Sequence, residues 1–239
     1  MPISLEPLPL SPAITAARPL AGMTVLVVED SRFASEAVRL LCLKSGARIR
    51  RADSLRAARR HLNVYMPGVV IVDLGLPDGS GIELIHDLAG AHQRIPVILA
   101  TSGDDAQFAA AMDAGADGVL AKPIENLSVF QAAVLDNLPE GERPAGLRLV
   151  SNEMVEPDPI AFRDDLAHIA DVLTASDDDK TLDYVTQFLT GVARSAHDDA
   201  LEAAAATLAA RHSSGGSIRS DLARVAGMLQ ERIEGRAAI

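Results

Sequence analysis

The sequence predicts a doubly wound α/β domain on a five-stranded parallel sheet, followed by a C-terminal all-α domain. Three observations carry that prediction. From residue 23 to about 138, short apolar runs alternate with helical patterns, five βα units in succession. The stretch VVIVDLGLPDGSG (69–81) sets four β-branched residues directly before Asp73 and closes with Gly and Pro, as a buried parallel strand does. From Pro159 onward strand signals stop and apolar residues recur only at helical spacing.

Taken in order, TVLVV (24–28) reads as the first strand, 31–46 as a helix, and ARIRR (47–51) as a short polar strand. A second helix covers about 54–63, and GVVIV (68–72) is the central strand. Ser80 stands three residues before Glu83, a capping box that opens a helix over 80–90. PVILAT (96–101) is a strand, 104–115 a helix, GVLA (118–121) a strand and 125–138 the last helix of the domain. Residues 139–157, rich in Pro, Gly and Glu, read as a linker. Asp158 then caps a helix with Pro159 at its first position. Phe162, Leu166, Ile169 and Leu173 form one apolar stripe. Leu182, Val185, Leu189 and Val192 form a second, and Ile218, Leu222, Val225 and Leu229 a third. SSGGS (213–217) separates the last two helices.

Composition narrows the function. The 239 residues are 48% hydrophobic and 23% charged, enough for one or two domains with real cores. Aromatics are 3% and Trp is absent, so few side chains can stack on bases or sugars. The net charge of −11 disfavours non-specific contact with nucleic acid or anionic membrane. Cys42 is the only cysteine, which excludes an internal disulfide and suits a reducing compartment. No apolar run is long enough to span a membrane. Residues 1–22 carry Pro at 2, 8, 12 and 19 and no basic start, so they read as an extended lead rather than a secretory signal. The expected compartment is the cytoplasm.

Carboxylates end two of the strands: Glu29 and Asp30 the first, Asp73 the third. In a 2-1-3-4-5 strand order these converge at one sheet edge, where ligands bind in doubly wound folds. Three carboxylates that close need a cation, and hard oxygen ligands suit Mg²⁺. Thr101 and Ser102 arrive at the same edge from the fourth strand, and Lys122, followed by Pro123, from the fifth.

With VLVVEDS, VVIVDLGLPDGSG, VILATSG and DGVLAKPI in this order, residues 23–138 resemble the receiver domain of a two-component response regulator, a flavodoxin-like fold. The resemblance implies that Asp73 is the phosphoacceptor and that Glu29 and Asp30 hold Mg²⁺, with the Gly75 carbonyl as a further ligand. It implies that Lys122 pairs with the phosphoryl group, that Thr101 bonds to it after transfer, and that the Lys122–Pro123 peptide is cis. The chain is then a phosphoacceptor signalling protein, with self-phosphorylation and autodephosphorylation at Asp73 its only reactions. A sensor histidine kinase or phosphotransfer protein is the expected donor. Two departures stand out. The position three before the lysine, usually an aromatic switch, is Val119; and Gly75 and Gly103 put no side chain two residues beyond Asp73 and Thr101.

For the module 158–239, with 16 Asp/Glu against 8 Lys/Arg over residues 151–239, charge argues against DNA reading. The basic stretch RIRRADSLRAARR (48–60) reads as a solvated edge. The apolar stripes, poor in bulky side chains, predict a dimerisation or partner-docking module, with the homodimer expected as two helical hairpins from two chains building a four-helix bundle. The alternative is a second relay site at His197, because R-x-x-H-D-x-x-L (194–201) on a helix is similar to the phosphoacceptor box of some histidine-kinase dimerisation domains. His212 reads as a charge at a helix C-terminus.

Overall fold

The computed structural model describes residues 14–143, 150–175 and 178–235. Five parallel strands, β1 (Thr24–Val28), β2 (Arg48–Ala52), β3 (Val69–Asp73), β4 (Val97–Ser102) and β5 (Gly118–Ala121), lie in the order β2-β1-β3-β4-β5. Successive side chains of a strand point to opposite faces, and the core divides accordingly. Val25, Val27, Val69 and Ile71 pack with α1 (Arg32–Ser45) and α5 (Leu127–Leu135). Leu26, Val28, Val70 and Val72 pack with α2 (Leu55–Leu62), α3 (Gly81–Ala89) and α4 (Phe108–Asp113). Both faces are dry, which is why these strands read as unbroken apolar runs. The register pairs Val28 with Val72, Asp73 with Thr101 and Ser102 with Ala121, so the strand ends that carry polar groups are level.

Several boundaries move for local reasons. The helix expected over 104–115 starts as a 3-10 turn over Asp105–Gln107, because the Asp104 carboxylate accepts from Ala106 N and holds the chain in a tighter turn. Helix α5 starts only at Leu127, where Asn126 accepts from the backbone N–H of Ser128 and Val129. The lead expected over 1–22 is extended in neither sense over its described part. Residues 14–22 turn back on the receiver core, Leu20 is fully buried, and its N–H donates to the Ser45 carbonyl. Residues 1–13 lie outside the described residues.

The segment expected as a free linker, 139–157, is strapped down at its end. Leu127 N donates to the Glu153 carbonyl and Val155 N to that of Glu125, each at 2.9 Å, and Val155 is buried in the sheet's core. The next helix starts four residues later, where the Asp158 carboxylate accepts from Ile160 N.

Four helices follow: α6 (Pro159–Ala175), α7 (Asp179–Ser195), α8 (Asp199–Ser213) and α9 (Arg219–Glu234). Each packs on the next, and α9 returns to α6. Leu166, Ile169, Val185, Leu189, Val192, Val225 and Leu229 from the three predicted stripes meet inside, with Leu201 and Leu208 of α8. The four-helix bundle expected from two chains is therefore assembled by one. Alanines 204 and 205 let α8 lie close enough to α7 that the modest side chains fill a single-chain core. The homodimer expectation loses its area argument, because the stripes are already covered. Ion pairs Arg194–Glu202 and Arg232–Asp198 close the ring between helices.

Because the bundle closes within one chain, its unfolding midpoint in urea should not move over a hundredfold range of protein concentration. Leu166→Ala should lower its stability by about 2–5 kcal/mol through the cavity left among Ile169, Val185 and Leu229. Circular dichroism melts across the concentration series check both; a midpoint that rises with concentration would mean that chains exchange helices.

Candidate phosphoacceptor site

Each receiver group predicted from the sequence reaches the level carboxyl end of the sheet. Glu29 and Asp30 follow β1 directly, and Asp73 is the last residue of β3. Ligand oxygens of Glu29, Asp30 and Asp73 can all lie within 4.8 Å of one another. Lys122, one residue past β5, puts its Nζ 2.7 Å from Glu29 Oε2 and 3.2 Å from Asp73 Oδ2. Its peptide bond to Pro123 is cis. Glu29, Asp73 and Lys122 are all more than 90% buried.

One ammonium against three carboxylates leaves the cluster short of positive charge. Burial, with the charge of Asp73 beside it, pushes Glu29 up to about 8. The same two causes push Asp30 up to about 7. For Lys122, burial works to lower the pKa, but the charges of Asp73 and Glu29 outweigh it and hold the ammonium protonated beyond its ordinary range. Thr101 supplies a second sign of incompleteness. Its hydroxyl is buried and has no hydrogen-bond partner, the condition of a group waiting for a ligand. An ionisable cluster short of a cation, next to an unpartnered hydroxyl, fits a divalent ion with a bound oxyanion.

The sequence did not place the bundle over this site. Helix α7 crosses the mouth with Tyr184, Gln187, Gly191 and Arg194, spaced at three and four residues, on one face. The Tyr184 hydroxyl donates to Asp30 Oδ2 at 2.8 Å. Burial, together with the Asp30 charge, keeps that phenol protonated well beyond its usual range. A Cβ on Gly75 would collide with the Gln187 carboxamide, and one on Gly103 would stand 3.4 Å from Gly191 Cα. The two missing side chains are thus the space that α7 occupies.

Helix α6 fastens the arrangement. Both Asp165 oxygens take the open N–H groups at the start of α1: Arg32 N at 2.9 Å, Phe33 N at 3.0 Å, and the Ser31 hydroxyl at 2.7 Å. Burial still leaves the Asp165 carboxyl above its usual range, so these bonds only partly offset desolvation. Phe33 and Phe162 touch across the same seam, with ring centroids 5.6 Å apart.

His197 is not where the sequence put it. It lies in the turn between α7 and α8 with φ of 54°, not on a helix, because Ala196 already ends α7 by capping onto the Val192 carbonyl. Its Nε2 is 3.0 Å from Glu125 Oε1, outside the acidic cleft, and the ring is mostly exposed. His212 does lie in the last turn of α8, facing Asp183 of α7 at 3.4 Å. Val119 leaves the aromatic-switch position aliphatic and half-buried against the α2–α4 side of the core.

The family model of the response regulator receiver domain matches residues 25–134. The KDP operon transcriptional regulatory protein KdpE of Escherichia coli is 36% identical over 99 residues, which cover 41% of this chain and 44% of that protein. The transcriptional regulatory protein KdpE of Mycobacterium tuberculosis is 35% identical over 121 residues, covering 49% and 54%. The chain spans about half the length of the curated relatives it matches. Because both are named transcriptional regulators, the charge-based expectation against DNA finds no support in them. Among solved structures, a putative response regulator from Chloroflexus aurantiacus is 28% identical, with a TM-score of 0.43, over 48% of this chain and 98% of its own. The receiver domain of a Pseudomonas aeruginosa sensor histidine kinase, solved with magnesium in its active-site cleft, is 21% identical with a TM-score of 0.44, over 48% and 97%. No described helix is long and apolar enough to cross a membrane. With the strand order, the level strand ends and the family match in agreement, residues 25–134 belong to the response regulator receiver domains.

Proposed function

We propose that the chain is a two-component signalling protein that accepts a phosphoryl group on Asp73 from a histidine kinase or phosphotransfer protein, and that its helical bundle responds to the state of that site. The observation that carries this reading is the buried cluster itself: a carboxylate nucleophile with an ammonium 3.2 Å away and an unpartnered hydroxyl on the paired residue of the next strand. The setting is the cytoplasm.

In this reading an Asp73 Oδ lone pair forms the new P–O bond, and the bond to the donor breaks with its electrons leaving on the donor. Lys122 stands where a phosphoryl oxygen on Asp73 Oδ2 gathers negative charge, and it keeps its proton throughout. Thr101 Oγ gains its missing partner in the same oxygen shell. Glu29, Asp30 and Asp73, with the Gly75 carbonyl, would hold Mg²⁺, which when bound neutralises charge on the transferring group. Asp30 is steadied for that role by the Tyr184 hydroxyl and by Ser31 N on its other oxygen.

Asp73→Asn should abolish covalent labelling by acetyl phosphate with Mg²⁺, followed by intact mass, because an amide is a very poor acceptor of nearly the same shape. Undiminished labelling of that variant would remove Asp73 from the role.

Charge balance gives a second expectation. Glu29 and Asp30 titrate near 8 and 7 in the fold and near their ordinary values when unfolded. The folded state therefore holds extra protons between about pH 4 and pH 8, and metal-free stability should fall as pH rises through that window. Mg²⁺ should restore it, most at the alkaline end, and Asp30→Ala should lose the Mg²⁺ response. Melting temperatures with EDTA and with Mg²⁺ at pH 5.5 and 8 check this; a Mg²⁺ effect of equal size in Asp30→Ala would count against the ligand assignment.

A further inference from the structure

The bundle does more than touch the receiver, because one of its helices closes the reacting carboxylate. Asp73, Lys122, Gly75 and Gly103 form the floor of a cleft, and Gln187, Phe188 and Gly191 of α7 form its roof. The space between has room for the centres of only a water or two, about 20 Å³. A phosphoryl group carried in on its donor needs several times that room, and in-line attack needs the leaving group on the far side of phosphorus from Asp73. The direction away from the sheet is where α7 lies.

The fit of roof to floor is specific on both sides. Gly191 places no side chain over Lys122, and a Cβ there would stand 4.0 Å from Nζ. Gly75 and Gly103 remove the two receiver side chains that would hold α7 off. Tyr184 anchors one end of the crossing on Asp30, and Asp165 anchors the neighbouring helix on α1. Glycine in mid-helix costs about 1 kcal/mol relative to alanine; a lone Cβ at 191 would make only ordinary contact with Lys122 Nζ, so what the glycine keeps off the ammonium is a longer side chain.

We propose that α7 selects the phosphoryl donor of Asp73: docked, it shuts out low-mass phosphodonors, and transfer occurs only when the helix lifts. This rests on the reading of Asp73 as the phosphoacceptor. A small donor has too few contacts to displace a helix held by Tyr184, Asp165 and the Phe33–Phe162 contact. A phosphorylated protein can offset that cost by binding either unit, so the bundle favours protein donors. Acetyl phosphate still labels the wild-type chain, slowly, in proportion to the time α7 spends lifted. In each transfer the Asp73 Oδ–P bond forms and acetate leaves with the electrons of the broken P–O bond.

A reversible lock tests the proposal on the full chain. Gly103→Cys with Gly191→Cys places two thiols at a close approach of the two units, where a Cβ on residue 103 stands 3.4 Å from the Gly191 Cα. Cys42 will not compete, since it is fully buried and burial pushes its thiol up to about 12. The oxidised variant should be labelled by acetyl phosphate with Mg²⁺ at least tenfold more slowly than the same protein after reduction. Asp165→Ala, which loosens the bundle by removing its cap on α1 and leaves Asp73, Lys122 and Thr101 in place, should be labelled several-fold faster than wild type. Equal rates for bridged and reduced protein overturn the proposal. So does a bridge that fails to form together with an Asp165→Ala variant no faster than wild type. Failure of the reduced and wild-type proteins to label at all would instead strike at the assignment of Asp73.

Discussion

Three carboxylates converge on one buried ammonium, and much of the molecule is arranged around that imbalance. Lys122 can neutralise only part of the charge that Glu29, Asp30 and Asp73 bring to the sheet edge. Water cannot do the rest, because Glu29 and Asp73 are buried among the ends of apolar strands. Burial first, and the Asp73 charge after it, raise the pKa of Glu29 and Asp30, and the shortfall leaves Tyr184 a carboxylate to bond. The strands supply the rigid frame that keeps the groups together despite their repulsion. Asp73 and Thr101 are register partners, so neither can retreat without breaking the ladder.

The same imbalance explains how two units of different architecture share one site. A receiver with a bulky side chain after Asp73 would fence its own cleft. Here Gly75 and Gly103 leave the fence to α7, and the phenol of Tyr184 meets part of the negative charge. A cation or a phosphoryl group changes the charge that Tyr184 and Gly191 face. In the proposed reading the energetics of the acidic cluster and the position of the bundle are thereby linked through the Tyr184–Asp30 bond, a route that does not use Val119. The Asp165 cap extends the link to α1: the open N–H groups of a receiver helix are satisfied by a carboxylate from the bundle, so separating the units exposes both.

The receiver was legible because its signals are local and ordered. Each apolar run ends on the group it delivers, so listing residues along the chain also lists them across the strand ends. The strand order and the places of Asp73 and Lys122 follow that logic, whereas the cis peptide was implied by the family resemblance alone. The bundle was legible only as stripes. Periodicity told which faces of α6, α7 and α9 are apolar, but not that α8 completes them from the same chain. The Ala-rich stretch of α8 is the close-packing face of that single-chain core. His197 was misplaced because a motif at helical spacing ran across a helix end that Ala196 sets.

What the sequence could not reveal, but did mark, is the seam. Gly75 and Gly103 stood out as departures whose meaning was open, whereas Gly191, inside a helical pattern, drew no notice until the two units were seen packed together. Each is neutral or unfavourable within its own unit. A glycine at a site mouth loses shielding, and one in a helix loses stability. Only when the two units are docked do these losses become one contact, with backbone approaching backbone over Lys122. Residues that look like local defects in both of two units are therefore a physical sign that those units meet. The packing of Gly103 on Gly191 is the place where that sign can be read directly.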